Sequence, residues 1–292
     1  MTNEDAAASF DPLRPRLRRI AYRMLGSVAD AEDVVQEAFL RWHATDREAV
    51  REPAGFLVRV VTRLCLDVAK SAQRQRTTYT GTWLPEPIVE NEESEIDDVT
   101  LPLLLALERL SPLERAAFLL HDVFGVEFDE IAATLGREQS SVRQLAVRAR
   151  EHVRAERPRY PLSKQRGMEL ASAFFSASRD GDMQALRSML AADVVVQSDG
   201  GGKRSANLTP IQGYDAVLAL HERLAGLFAA QRSQLLRVGF INGLPGFVSL
   251  EGDGLLQTTA LEIRDGKIAA LYIVRNPDKL RHLLDSPAIP GS

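Results

Sequence analysis

The stretch FDEIAATLGREQSSVRQLAVRAREHV, Phe128–Val153, decides how the rest of the chain is read. Ile131, Ala132 and Leu135 recur at helical spacing and stop at Gly136, whose lack of a Cβ suits a tight or left-handed turn. Beyond it, Val142, Ala146, Ala149 and Val153 form the apolar face of a second helix. Ser140, Ser141, Arg143, Gln144, Arg148 and Arg150 then point largely outward. Helix, glycine turn and a helix with a polar, basic outer face make a helix-turn-helix. Such a hairpin can be purely structural, with its arginines merely solvated. The turn glycine, and seven arginines against three glutamates over residues 137–159, favour a DNA-reading role. Arginine bonds guanine edges bidentately or neutralises phosphates, and serine and glutamine read base edges.

The basic bias is local. The 292-residue chain carries a net charge of −4, which argues against a generally basic nucleic-acid binder. Residues 59–76 nevertheless hold five basic side chains against one acid, and residues 81–100 hold seven acids with no Lys or Arg. Two basic patches therefore flank an acidic spacer. The composition is 45% hydrophobic and 26% charged, that of a soluble globular protein of two or three domains. No run approaches the roughly 18 apolar residues of a membrane span. The acidic, polar start MTNEDAAASF does not read as a signal peptide, and the lone Cys65 fits a reducing cytoplasm.

Upstream, residues 10–76 read as helices. In DAEDVVQEAFLRW, Val34, Val35, Ala38, Phe39 and Trp42 share one face, while Asp30, Glu32, Asp33 and Glu37 lie mostly off it; Ser27 is the expected cap. After Pro53, the residues Phe56, Leu57, Val60, Val61, Leu64 and Val68 form an apolar stripe. Arg59, Arg63, Asp67, Lys70 and Arg74 share another stripe, which reads equally well as a solvated face or a DNA contact. SPLE, Ser111 to Glu114, has the form of a capping box with proline at the first helical position.

From about Ser163 the pattern changes to helices followed by short β-like runs: VVVQSD, LLRVGFI, GFVSLEG and LLQTTALEIRDGKIAALYIV. Asp265-Gly266 reads as a hairpin turn, and the whole predicts an α+β domain with a curved antiparallel sheet.

DAEDVVQEAF, PAGFLVRVVTRLCLD and the helix-turn-helix resemble, in order and spacing, regions 2.2, 2.4 and 4 of bacterial extracytoplasmic-function (ECF) sigma factors. The resemblance covers residues 10–157. It implies that Asp30, Glu32, Asp33 and Glu37 grip the basic coiled coil of the polymerase β′ subunit. It implies that the Arg59–Arg74 stripe, with the loop near Glu48–Ala54, engages and opens the −10 element, and that the helix Ser140–Arg150 reads the −35 element. Members often carry an asparagine near Arg63, which is missing here, so the residue that cups an unstacked base stays open.

Three further segments, TGTWLPEP in the spacer, DGGGK (Asp199, Gly200, Gly201, Gly202, Lys203) and NPDKL (Asn276, Pro277, Asp278, Lys279, Leu280), resemble the SigJ-type subgroup with a SnoaL-like, cone-shaped C-terminal domain. The implied architecture is multi-domain: two all-α sigma domains (a σ2 helical bundle at 8–76 and a σ4 helix-turn-helix at 101–158), a linker at 77–100, and the α+β cone at 163–285. The implied partners are core RNA polymerase, through its β and β′ subunits, and promoter DNA. The extension is implied to replace a separate anti-sigma factor, tuning activity from within a cytoplasmic protein that needs no cofactor, metal or membrane.

The local chemistry of these segments points the same way. Pro85 and Pro87 stiffen the chain around Glu86 and present Trp83 and Leu84 at low entropic cost, so the apolar pair is expected to dock on the C-terminal domain. Gly200–Gly202 permits close backbone approach or positive φ, and Asn276-Pro277 caps a short terminal helix. An enzyme or ligand-binding module is the competing reading. Asp193, Asp199, Tyr214 and His221 could line a cavity, although no triad or metal-ligand spacing is visible.

Overall fold

In a computed structural model of the chain, the described residues are 3–76, 79–90, 99–153 and 163–284. They fall into two compact units: Met1–Thr77 with Leu103–Glu156, and Thr78–Pro102 with Arg157–Ser292.

The first unit is helical. Helices α1 (Asn3–Phe10), α2 (Arg14–Leu25), α3 (Val28–Ala44) and α4 (Pro53–Arg76) pack around buried Phe10, Leu17, Ile20, Val35, Trp42 and Leu57. Trp42 hides its ring but keeps its indole N–H satisfied, donating to Ser9 Oγ at 3.0 Å. Ser27 caps α3, its hydroxyl accepting from the Asp30 amide at 3.2 Å. Helices α5 (Leu101–Glu108) and α6 (Pro112–Phe118) follow, the latter opened by the full Ser111–Glu114 capping box and running into a π-helical turn at Leu119–Val123. Then come α7 (Phe128–Leu135), Gly136 with φ 62°, and α8 (Gln139–Val153). The left-handed backbone at Gly136 needs a residue without a Cβ, which is why the sequence places glycine there.

The two halves of this unit pack on each other, with α4 against α6 and α7. Buried Arg115 joins them. Its guanidinium donates to Met24 O at 2.7 Å and Leu107 O at 2.9 Å, and pairs with Glu108 at 2.8 Å. Burial pulls its pKa down to about 10, so it stays charged and neutralises the carbonyl ends of two helices.

The second unit is α+β: α9 (Lys164–Asp180), α10 (Met183–Met189), β1 (Leu190–Asp199), β2 (Ile211–Gln212), α11 (Tyr214–Ala230), β3 (Gln234–Ile241), β4 (Leu244–Leu250), β5 (Leu256–Arg264), β6 (Lys267–Val274) and α12 (Pro277–Leu284). The sheet order is β2-β1-β6-β5-β4-β3. It is mixed rather than wholly antiparallel, because β1 and β6 run parallel. The reason is the crossover: α11 carries the chain from β2 to the far edge, and three hairpins then bring β6 back beside β1 in the same direction. β2 is too short to leave a periodic signal. Asp265-Gly266 turns with φ 51° and 73°, and Asn242-Gly243 makes the same kind of turn with φ 48° and 72°. Helices α9 and α11 cover the sheet over a core that includes Phe174, Val196, Val217, Phe247, Leu261 and Leu271.

Candidate functional site

The spacer does not stand free. Residues 79–90 are stitched to the α+β unit along their whole length, and the anchor is Asp199 at the end of β1, which is fully buried. One of its oxygens accepts from the Tyr79 hydroxyl at 2.5 Å and the Gly201 amide at 3.0 Å. The other accepts from the Leu84 amide at 2.9 Å and the Lys279 ammonium at 2.7 Å. Lys279, on α12, also donates to the Leu84 carbonyl at 2.5 Å and lies 4.2 Å from the Trp83 ring centre and 4.9 Å from that of Tyr79. A buried charge pair is favourable only where geometry and extra hydrogen bonds compensate its desolvation, and here both ions are so supported. Burial and the Asp199 carboxylate push the Tyr79 phenol up, so it remains a donor. Leu84 is fully buried and Trp83 partly so.

The glycines of DGGGK are close-approach positions. A Cβ on Gly201 would fall 2.2 Å from Asn276 Nδ2, and that same amide donates to the Tyr79 hydroxyl at 2.9 Å. Asn276 Oδ1 also accepts from the Asp278 amide at 3.1 Å, opening α12, and Lys203 pairs with Asp278. Further along, His282 hydrogen-bonds the Pro87 carbonyl at 2.8 Å. Ile88 and Glu90 then pair with the end of edge strand β3: Ile88 N donates to Asn242 Oδ1, Asn242 N to Ile88 O, and Glu90 N to Phe240 O. Leu101 N closes the run on Asn242 O at 2.9 Å. Tyr79, Glu90 and Asn242 were not singled out from the sequence. The Asn-Gly dipeptide at 242–243 was the one signal that could have drawn attention to this edge.

On α3, Asp33 is exposed, Glu32 pairs with Arg18 at 2.7 Å and Glu37 with Arg41 at 2.8 Å. Leu40, 56% exposed, lies on the Asp33–Glu37 face and adds an apolar centre to it. Asp30 is half-buried beside the cap.

On α4, Arg59 and Lys70 are exposed, and Lys70 pairs with Asp67 at 3.0 Å. Arg74 belongs to the helix, but its side chain lies outside the described residues. Arg63 is engaged: Nε donates to Thr134 O at 3.0 Å and Nη2 to Ala133 O at 3.1 Å.

On α8 the structure separates the arginines from the centre of the outer face. Arg148 pairs with Glu114 at 2.8 Å and Arg150 with Asp122 at 2.7 Å, while Arg143 lies 5.6 Å from the Phe128 ring centre. The Ser111 hydroxyl and then Arg148 hold the Glu114 carboxyl below its usual range. Ser140, Ser141, Arg143, Gln144, Val147 and Arg148 are all exposed, and Val147, at 48% exposure, is an apolar residue on a face read from sequence as polar.

The four residues weighed as a catalytic group do not converge. Asp193 is exposed and pairs with Arg264 at 3.3 Å, the Tyr214 hydroxyl donates to Arg187 O, and Asp199 belongs to the spacer anchor. Only His221 of the four lines the cavity of the α+β unit. Among the described residues no cluster of His, Cys, Asp and Glu could hold a metal ion, and no helix is long and apolar enough to cross a membrane.

Known proteins share this organisation. The Sigma-70 region 2 family matches residues 10–75 and the Sigma-70, region 4 family matches residues 100–153. The ECF RNA polymerase sigma factor SigJ of Mycobacterium tuberculosis is 38% identical over 291 residues, covering 93% of this chain and 92% of that one. The probable ECF RNA polymerase sigma factor SigI of the same organism is 30% identical over 287 residues, covering 95% and 96%. The crystal structure of M. tuberculosis SigJ superposes with a TM-score of 0.75 at 35% identity, covering 97% of this chain and 99% of that one. With a region 2 bundle, a region 4 helix-turn-helix and an α+β C-terminal unit in one chain, the protein belongs to the extracytoplasmic-function sigma factors of RNA polymerase.

Proposed function

We propose that the protein directs core RNA polymerase to promoters bearing −35 and −10 elements, and that its α+β domain modulates this activity in cis by holding the spacer. The acidic face of α3, with Leu40 at its centre, suits a basic helical surface of the polymerase. The α4 stripe suits the −10 element, and the outer face of α8 suits the major groove of the −35 element.

The observation that carries the modulation is the double anchoring of the spacer, at Tyr79–Glu90 and again at Leu101, on one domain. A free chain of 24 residues, 77–100, could span about 80 Å at full extension. Fastened to Asp199, Lys279 and β3, most of that reach is withdrawn. Regions 2 and 4, which must bind two promoter elements at once, then separate only when the polymerase supplies the energy to release the spacer. This supports self-contained control without a separate anti-sigma factor.

The test is transcription from the cognate promoter with reconstituted polymerase, comparing the wild type with Trp83→Ala. The variant is expected to change transcript yield at limiting sigma factor while keeping the same ranking of promoter sequences. Unchanged yield, with faster hydrogen exchange over 79–90 proving the spacer loosened, would remove the spacer from regulation.

A further inference from the structure

The α+β unit contains a cavity of about 480 Å³ between α9, α11 and the sheet. That volume falls in the range of about 300–1,000 Å³ typical of small-molecule sites. Its interior is mainly apolar, with Phe174, Val196, Leu220 and Phe247 buried there. The buried polar groups of its floor are engaged: Gln257 Nε2 donates to Thr259 Oγ1 at 3.2 Å, and Ser198 Oγ accepts from the Asn207 amide at 2.9 Å. Leu220, Leu224 and Leu227 run along the wall at helical spacing, and Leu227, 63% exposed, marks the mouth. Arg223 flanks that stripe one turn before Leu227, lines the same cavity and is also exposed.

The charges of the wall decide what the cavity can take. They belong to Arg179, Arg223, Arg275, Glu251 and Asp253. Arg179 pairs with Glu251 at 2.5 Å, and Glu251 also accepts from Ser233 and Ser249, each at 2.6 Å. Arg275 pairs with Asp253 at 2.7 Å and donates to the Ser205 carbonyl at 3.1 Å. Both carboxylates are thereby taken, and among the described residues Arg223 has no acidic partner. His221 adds no charge at neutral pH, since burial and then Arg179 hold its pKa down to about 4. The wall therefore presents one uncompensated positive charge, at the mouth and beside an exposed leucine. A cation would meet that guanidinium with no carboxylate left to receive it, and a dianion would find only one guanidinium. A monoanion with an apolar body matches both features: a guanidinium fork fits a carboxylate, and the body displaces water from the leucine stripe.

We propose that this cavity binds a small amphipathic carboxylate, its head paired with Arg223 at the mouth and its apolar body inside against Phe174 and Phe247. The inference goes beyond the promoter reading and does not depend on it, since binding is measured on the sigma factor alone.

The experiment is calorimetric titration of the full chain at neutral pH and low ionic strength with octanoate, 1-octanol and octylammonium, which share one chain and differ in the head. The expected result is saturable one-site binding of octanoate, about fivefold tighter than 1-octanol, with octylammonium the weakest; an exposed ion pair sets that modest ratio. In Arg223→Gln, an exposed position whose change leaves the core intact, octanoate should lose its advantage while 1-octanol binds as before. In ¹³C-methyl-leucine-labelled wild type, the Leu220 and Leu224 resonances should move as octanoate saturates, which places the chain in the cavity. Absence of saturable binding, octylammonium binding as tightly as octanoate, an undiminished octanoate preference in Arg223→Gln, or unmoved Leu220 and Leu224 resonances would each overturn the proposal.

Discussion

Arg63 closes the C-terminal end of α7, its guanidinium donating to the carbonyls of Thr134 at 3.0 Å and Ala133 at 3.1 Å. Helix ends leave carbonyls without intrahelical partners, and a guanidinium satisfies two of them while meeting the negative end of the helix dipole. A side chain whose charge pattern alone suits promoter DNA thus holds the first half of the helical unit to the helix-turn-helix.

Arg63→Ala is expected to cost about 1 kcal/mol of stability, the partly exposed guanidinium limiting the effect, and to weaken open-complex formation as well. Chemical denaturation checks the first and permanganate footprinting the second. Loss of stability with undiminished melting would take Arg63 off the promoter surface.

Asp33→Lys with Glu37→Lys should abolish competition for core polymerase while leaving the circular dichroism spectrum unchanged, because both residues lie off the buried stripe of α3. Leu40→Ala should weaken the same competition more modestly. A double variant that competes as well as the wild type would place the polymerase contact elsewhere.

On α8, Gln144→Ala and Val147→Ala should each relax preference at a single −35 position, by about 1–3 kcal/mol for the hydrogen-bonding residue and less for an apolar contact with a thymine methyl. Arg148→Ala breaks the exposed pair with Glu114 and should change stability by no more than about 1 kcal/mol. Transcription from a panel of single-base promoter variants separates these outcomes.

Lys279→Ala leaves Asp199 buried without its cation and should destabilise the α+β unit by about 3–5 kcal/mol. Trp83, which lies over the Lys279 ammonium, should emit at longer wavelength as the spacer detaches; Trp42→Phe isolates its signal. A blue, unshifted Trp83 spectrum in Lys279→Ala would show that the spacer is held by other contacts.

His221 gives the α+β unit an acid sensitivity. Its folded pKa, about 4, lies below the ordinary 6.5, so the unfolded chain binds the proton more readily. Stability from keeping this ring neutral is fully present above the unfolded value and is lost as pH falls toward about 4, amounting to about 3 kcal/mol in total. The charged groups of the same cavity, Arg179, Arg223, Arg275, Glu251 and Asp253, set its field. His221→Leu should flatten the fall in urea midpoint between about pH 6.5 and about pH 4; an unaltered slope would place the acid sensitivity on another group.

Local chemistry carried much of this molecule in its sequence. The Ser27 and Ser111 caps, the turn at Gly136, the hairpin at Asp265-Gly266 and the apolar faces of α3, α4 and α8 each depend on residues within a few positions of one another. The proline-flanked Trp83-Leu84 pair likewise announced an apolar surface needing a partner, because an unattached spacer has no use for one.

What only the tertiary structure decided was which charges meet. Asp199 and Lys279 are eighty residues apart, Arg63 and Thr134 seventy-one, and no periodicity links such positions. The same holds for the parallel β1–β6 pairing, which follows from where α11 delivers the chain, and for the two-residue β2. Arg148 and Arg150 lie on the outer face that the spacing predicts, and only the fold shows that Glu114 and Asp122 pair with them there, because helical spacing fixes a side chain's direction and not its neighbours. Spacing determined the elements; the packing of distant elements determined which of their charged side chains meet.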